Sequence, residues 1–279
     1  MNVMKCDFIQ KRVEEHVKDF EKHYPDVEWI VCGACGSMNY NLWDEKSDVD
    51  TKIIVFPSLE NLMLGKVGIS KIHILPNGEH CDIKDVRHYF RILKKGNINF
   101  MELLCTEYYV VNPKYRSFWF SITNHLTSLS YLYAEKLIYS SYGNATEKYK
   151  KLFHGSPTNY ALIEQYGYVA KELVDIKRLR YFIDKFMAEQ VEFKASIEIF
   201  EEPLHTELMY LKRYHKILTP EEVKKEALRE ITRMWWCITN YTLPDIEFYN
   251  RFRDEPFTED FLNKRLISVM KQYLKKKIN

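Results

Sequence analysis

Hydrophobic periodicity changes once along this chain, and that change limits the folds open to it. Short runs of strand character fill the first third: Glu28 to Cys32, Asp48 to Phe56, and the pair SKIHIL (70–75) and HCDIKDV (80–86). Pro76, Asn77 and Gly78 separate the last two, a hairpin signal with Asn-Gly as the turn dipeptide. Ahead of them, Phe8, Val13, Val17 and Phe20 recur at helical spacing over 7–24, which predicts an opening amphipathic helix. From about Val86 the period becomes helical, RHYFRILKKGN stops at Gly96 and Asn97, and after Pro113 helices are expected near 127–153, 160–190, 220–241 and 258–277. The expected class is α+β: an N-terminal mixed sheet with flanking helices over 1–112, then a mostly α-helical C-terminal domain over 113–279.

Composition supports a folded chain. Gly and Pro number nine each among 279 residues, against average usage of roughly 7% and 5%, and 41 aromatic residues argue against disorder. Six of the nine glycines fall in the first 100 residues, as a helical second half requires. The net charge of +2 conceals a division, −3 over 1–112 and +5 over 113–279. Six Lys/Arg and no acid lie between Lys264 and Asn279, read as a solvated helix end or a polyanion contact. No apolar run is long enough for a membrane span, MNVMKCDFIQKR lacks a secretory core, and the six cysteines are scattered. A cytoplasmic protein with reduced thiols and no membrane partner is therefore expected.

The stretch from Gly36 to Asp50, GSMNYNLWDEKSDVD, carries the chemistry. A strand enters a Gly-Ser pair, and a helix beginning there would offer unpaired N–H groups to an anion; Gly36 would allow close approach and Ser37 would donate its hydroxyl. Asp48 and Asp50 stand at i and i+2 at a strand start, on one face, with Cα atoms roughly 6.5–7 Å apart. Two such carboxylates can share hard divalent cations with phosphate oxygens. Asp82 is the better third carboxylate, because Cys81, Ile83 and Asp85 lie on the opposite face and the first two look buried; Asp85 is the reserve. Val49, Ile53 and Val55 mark a core face, which leaves a wet acidic one. Three carboxylates around two cations fit phosphoryl or nucleotidyl transfer.

Gly36-Ser37, Ser47-Asp48-Val49-Asp50 and Asp82 together resemble the DNA polymerase beta-like nucleotidyltransferase superfamily. Residues 81–104 resemble more closely the RNA-repair-pathway DNA polymerase beta family, whose Gly-Asn-X-X-X-X-Glu-Leu segment is matched by Gly96, Asn97, Glu102 and Leu103. Downstream, Gly167 to Lys171 followed by Arg178-Leu179 is similar to that family's second-domain helix, except that Asp175 stands where the family has histidine. The resemblance implies a nucleotidyltransferase-type sheet domain, with the helical domain completing the nucleotide and acceptor cleft. Asp48 and Asp50 would hold two Mg²⁺ or Mn²⁺ ions, Asp82 the catalytic one while helping to deprotonate an acceptor hydroxyl, and Gly36 with Ser37 the β/γ phosphates of an NTP, ATP being expected. Lys171 and Arg178 share a helix face and would meet a triphosphate or RNA phosphate. The implied reaction transfers a nucleoside monophosphate to RNA or tRNA with release of pyrophosphate. Transfer to a protein hydroxyl, synthesis of a nucleotide signal, and an inactive nucleotide- or RNA-binding descendant are the alternatives.

Each feature also has a plainer explanation. Ser-Asp-X-Asp strings recur in turns and caps, and Lys171 and Arg178 could be solvated charges. Cys32-Gly33-Ala34-Cys35 occupies a redox-type position between strand and loop, though small side chains packing under the loop explain it better. Trp235-Trp236 could stack bases, with core packing the expected role. The sequence leaves the oligomeric state open.

Overall fold

The computed structural model describes residues 3–66, 68–154, 159–214, 218–243 and 257–278. These group into two compact units: Met1–Asn39, Trp43–Leu132 and Ile246–Asn279 form the first, Tyr40–Leu42 and Tyr133–Asp245 the second. The boundary expected at residue 112 thus lies inside the first unit. Packing explains the difference: in the C-terminal helix Asp260–Ile278, Tyr273 stacks on Phe56 at 4.4 Å and donates its hydroxyl to the Pro57 carbonyl at 2.9 Å. His125 likewise stacks on Phe257 at 5.6 Å.

The first unit is built on a five-stranded mixed sheet in the order β3-β4-β2-β1-β5, with β1 Trp29–Ala34, β2 Thr51–Val55, β3 Ser70–Ile74, β4 His80–Asp85 and β5 Tyr109–Val111. Only β2 and β4 pair in parallel, with Thr51 opposite Cys81 and Lys52 opposite Asp82; the other neighbours are antiparallel. The predicted hairpin forms, with Gly78 at φ +89° in its turn. Helix α1 (Val3–His23) lays Ile9, Val13, Val17 and Phe20 against Cys32, Val49, Ile53, Cys81 and Ile83. That confirms the core face read from the alternation.

The opposite face departs from expectation. Short helical segments Val86–Leu93, Ile98–Met101 and Glu102–Leu104 lie on this side, where Phe100 approaches Lys52 and Leu103 approaches Gly33, so every residue of β2 is buried and solvent reaches the acidic residues only at Asp48 and Asp50 ahead of the strand and, in part, at Asp82 on β4. A Cβ on Gly33 would come within 2.6 Å of Leu103 Cδ1, which is why a glycine stands there. Asp85 is fully buried, caps the helix that starts at Val86, and pairs with Arg87 at 2.8 Å, a structural role that removes it from any reserve of metal ligands.

The second unit is helical, so the expected α+β class holds: a mixed sheet with flanking helices and a helical C-terminal region. The segment 160–190 divides into Tyr160–Tyr166 and α2 (Ala170–Ile183), because Gly167 caps the first at φ +80°. Helix Pro220–Asn240 opens with a capping box between Thr219 and Glu222. Its buried stripe is Val223, Ala227, Glu230, Met234 and Cys237. Trp235 and Trp236 fall beside that stripe and are exposed, contrary to the core role expected for them. Among the described residues, no helix is long and apolar enough to cross a membrane.

Candidate active site

β1 ends at Ala34 and the chain turns at Gly36, whose φ of +83° needs glycine. Between this turn and β2 the backbone makes a series of further turns, with the Asn39 N–H donating to the Gly36 carbonyl at 3.0 Å, and no helix begins there. The helix-dipole argument for anion binding therefore does not apply here. Gly36 N–H donates instead to the Glu102 carboxylate at 3.3 Å, while Ser37 is half-buried with no hydrogen-bond partner among the described residues.

Glu102 stands outside the set of residues to which the sequence pattern assigns chemistry. It is 1% exposed and receives Lys52 Nζ at 3.1 Å and Asn39 Nδ2 at 3.4 Å as well as the Gly36 amide. Burial disfavours the Lys52 ammonium, but Cys35 and Glu102 outweigh it and raise its pKa. A buried ion pair thus ties the Gly36 turn to the centre of β2. The signal was present: Glu102 is the acid of the Gly-Asn-X-X-X-X-Glu-Leu segment, and Lys52 follows Asp50 at i+2.

Asp48 and Asp50 lie in the segment that leads into β2, which starts only at Thr51, where pairing with Cys81 begins. Asp48 is exposed. Asp50 has a side chain 44% exposed; its Oδ1 accepts the His80 N–H at 3.0 Å, and its carbonyl accepts the Cys35 N–H at 3.0 Å. Asp50 therefore joins the start of β4 to the Gly36 turn. Between the two aspartates, Val49 N–H donates to Glu79 at 3.1 Å. Glu79 also binds Arg12 and, at 2.9 Å, His16. Burial works against its charge, but these partners and Asn77 hold its pKa down at about 2.

Asp82 lies opposite Lys52 on β4, on the same face, with Oδ1 2.7 Å from Lys84 Nζ. The oxygens of Asp48, Asp50 and Asp82 do not all come within 4.8 Å of one another. Three carboxylates repel, and two of these already have protein partners. The donor set is nonetheless all carboxylate oxygen, the chemistry that Mg²⁺ or Mn²⁺ takes, and an exposed Asp48 and a half-exposed Asp50 leave ligand positions accessible.

In the second unit, Lys171 is exposed at the start of α2, whereas Arg178, two turns on, is buried with its guanidinium carbon 3.8 Å from the Tyr40 ring centroid. Arg178 Nε lies 3.6 Å from Asp175, which also pairs with Lys148 at 2.7 Å. Burial raises the Asp175 pKa, but Arg178 and Lys148 outweigh it and lower the pKa overall. Asp175 is thus one member of a partly buried charge cluster. The two predicted phosphate ligands share a face but not an environment.

Cys32 and Cys35 are buried free thiols. The hydrogen bond with Cys81 and burial push Cys32 well up, and burial raises Cys35 to about 12, opposite to an activated thiolate.

No protein-family model matches the chain, and no curated protein matches it. Among solved structures it is similar to a nucleotidyltransferase-like protein from Exiguobacterium sibiricum, at 14% identity over 95% of this chain and 91% of that one, with a TM-score of 0.29. The candidate site stands on its own residues.

Proposed function

We propose that this protein is a metal-dependent nucleotidyltransferase that moves a nucleoside monophosphate from an NTP, ATP being expected, to an acceptor hydroxyl of RNA or tRNA. The observation that carries the reading is the junction at Asp50, which links the Gly36 turn, the entry to β2 and the start of β4, with Asp82 opposite Lys52 on the neighbouring parallel strand. Asp48, Asp50 and Asp82 would hold two Mg²⁺ or Mn²⁺ ions, which when bound neutralise charge on the triphosphate and acidify the acceptor hydroxyl. The Gly36 turn and Ser37 hydroxyl bind the β/γ phosphates. The acceptor oxygen attacks the α-phosphorus, its proton passes to the Asp82 carboxylate, and the bond to the β-phosphate oxygen breaks to release pyrophosphate.

One observation favours a second reading. The Gly36 amide is occupied by Glu102 and the three carboxylates stand apart, as a module that binds nucleotide or RNA without turnover would tolerate. Incubation with Mg²⁺, labelled NTPs and pooled RNA separates the two. Label transfer by wild type, abolished in Asp48→Ala/Asp50→Ala, is expected; equal transfer by both proteins sinks the catalytic reading. Binding without transfer selects the module, and product analysis distinguishes RNA from a protein hydroxyl or a nucleotide product.

A further inference from the structure

Away from the carboxylates, the far end of α1 meets the outer strand of the sheet in a cluster the proposed reaction does not use. Asp19 and His23 stand one helical turn apart in α1, and His73 projects from edge strand β3. One ligand atom from each lies within 4.8 Å of the other two, and among the described residues no other three His, Cys, Asp or Glu converge in this way. Asp19 Oδ2 is 3.4 Å from His23 Nδ1 and 2.6 Å from His73 Nε2.

Those separations are close to what a small ion needs. Two donors at about 2.0–2.1 Å from a tetrahedral Zn²⁺ stand roughly 3.4 Å apart. The Asp19–His23 separation already has that value, and the Asp19–His73 contact has to open by less than about 1 Å. His23 Nδ1 also faces the Asp19 carbonyl at 2.9 Å, a contact exchanged for the ion.

The surroundings support ligation. The Tyr24 hydroxyl lies 3.4 Å from His73 Nδ1 and the Tyr24 ring packs edge-on against the imidazole at 5.5 Å, which holds Nε2 toward Asp19. Lys71, on the same strand, sets its ammonium 4.2 Å from the Tyr24 ring centroid rather than on Asp19. The His23 side chain is 46% exposed and, among the described residues, no strand pairs with the outer edge of β3, so an ion can enter. A histidine near a helix C-terminus is favourable by itself, which accounts for His23 but not for the convergence of Asp19 and His73.

We propose that Asp19, His23 and His73 form a site for a borderline divalent transition ion of the Zn²⁺ class, with water completing its coordination. Two imidazoles and one carboxylate select such an ion over Mg²⁺, so this site is chemically distinct from Asp48, Asp50 and Asp82. The ion links the end of α1 to the open edge of the sheet. The proposal is independent of nucleotidyl transfer.

The test uses the full chain stripped by chelator, titrated with Zn²⁺ by calorimetry and with Co²⁺ by visible spectroscopy. One Zn²⁺ per chain is expected, with Co²⁺ bands of low-coordinate intensity, no thiolate charge-transfer band in the near ultraviolet, and a melting temperature that rises with Zn²⁺. His73→Gln and His23→Gln should each weaken Zn²⁺ binding at least about tenfold and remove the melting shift, with metal-free melting temperatures near wild type. Asp48→Ala/Asp50→Ala should bind as wild type does. Absence of stoichiometric Zn²⁺ binding, unchanged affinity in both histidine variants, or a thiolate band would overturn the proposal.

Discussion

Lys52→Met should cost about 3–5 kcal/mol of folding stability, the range for removing one partner of a buried ion pair. Glu102 is 1% exposed and Lys52 9%, so water cannot replace the missing ammonium. What remains to Glu102 is the Gly36 N–H at 3.3 Å and Asn39 Nδ2 at 3.4 Å, both long for hydrogen bonds to a carboxylate. Methionine keeps most of the aliphatic volume, so lost packing contributes little. The folded-state pKa of Lys52 is raised, so its contribution is complete below the unfolded value of 10.5 and urea unfolding at pH 7 measures it in full. The second variant, Lys52→Met/Glu102→Gln, removes the stranded charge while an amide oxygen still accepts from Gly36. It should be more stable than Lys52→Met alone by about 2 kcal/mol. A single-variant loss below about 1 kcal/mol, or a double variant equal to the sum of the two single losses, would refute the claim that this pair anchors the Gly36 turn.

The same packing predicts two further outcomes. Glu79 has a depressed pKa of about 2, so its stabilising contribution is full above the unfolded value of 4.5 and is lost as pH falls through about 2; Glu79→Gln should flatten that acid limb in melts recorded from pH 5 to 2. Gly33→Ala places a methyl group 2.6 Å from Leu103 Cδ1 and should destabilise by about 1–3 kcal/mol in thermal or urea melts, with Leu103→Ala reducing that penalty when combined with it.

Much of the site region was legible because its signals are local. Asn77-Gly78 predicted the hairpin that places Asp82, and the alternation in DVDTKIIVF identified Val49, Ile53 and Val55 as core. Other signals misled because they were only local. Gly36-Ser37 read as a loop entering a helix, but the Glu102 carboxylate, 66 residues away, takes the Gly36 amide. Residues 113–132 read as part of a second domain on helical period alone, while their tertiary contacts lie in the first unit. Glu79 was invisible as a support for the Asp48–Asp50 segment, since its partners Arg12, His16 and Val49 come from distant elements.

By itself the sequence determined the opening helix, the strands around Trp29–Ala34, Thr51–Val55, Ser70–Ile74 and His80–Asp85 with the hairpin between the last two, and the core face of Val49, Ile53 and Val55. These come from periodicity and turn chemistry, which act within a few residues. Tertiary structure alone decided that β2 lies between β4 and β1 with both faces covered, that Lys52 and Glu102 meet as buried charges, and that Asp19, His23 and His73 converge at the sheet edge. A strand's pattern marks the side that avoids water; what covers the other side depends on chain segments far away in sequence, whose burial and charge pairing are defined only once the whole unit has folded.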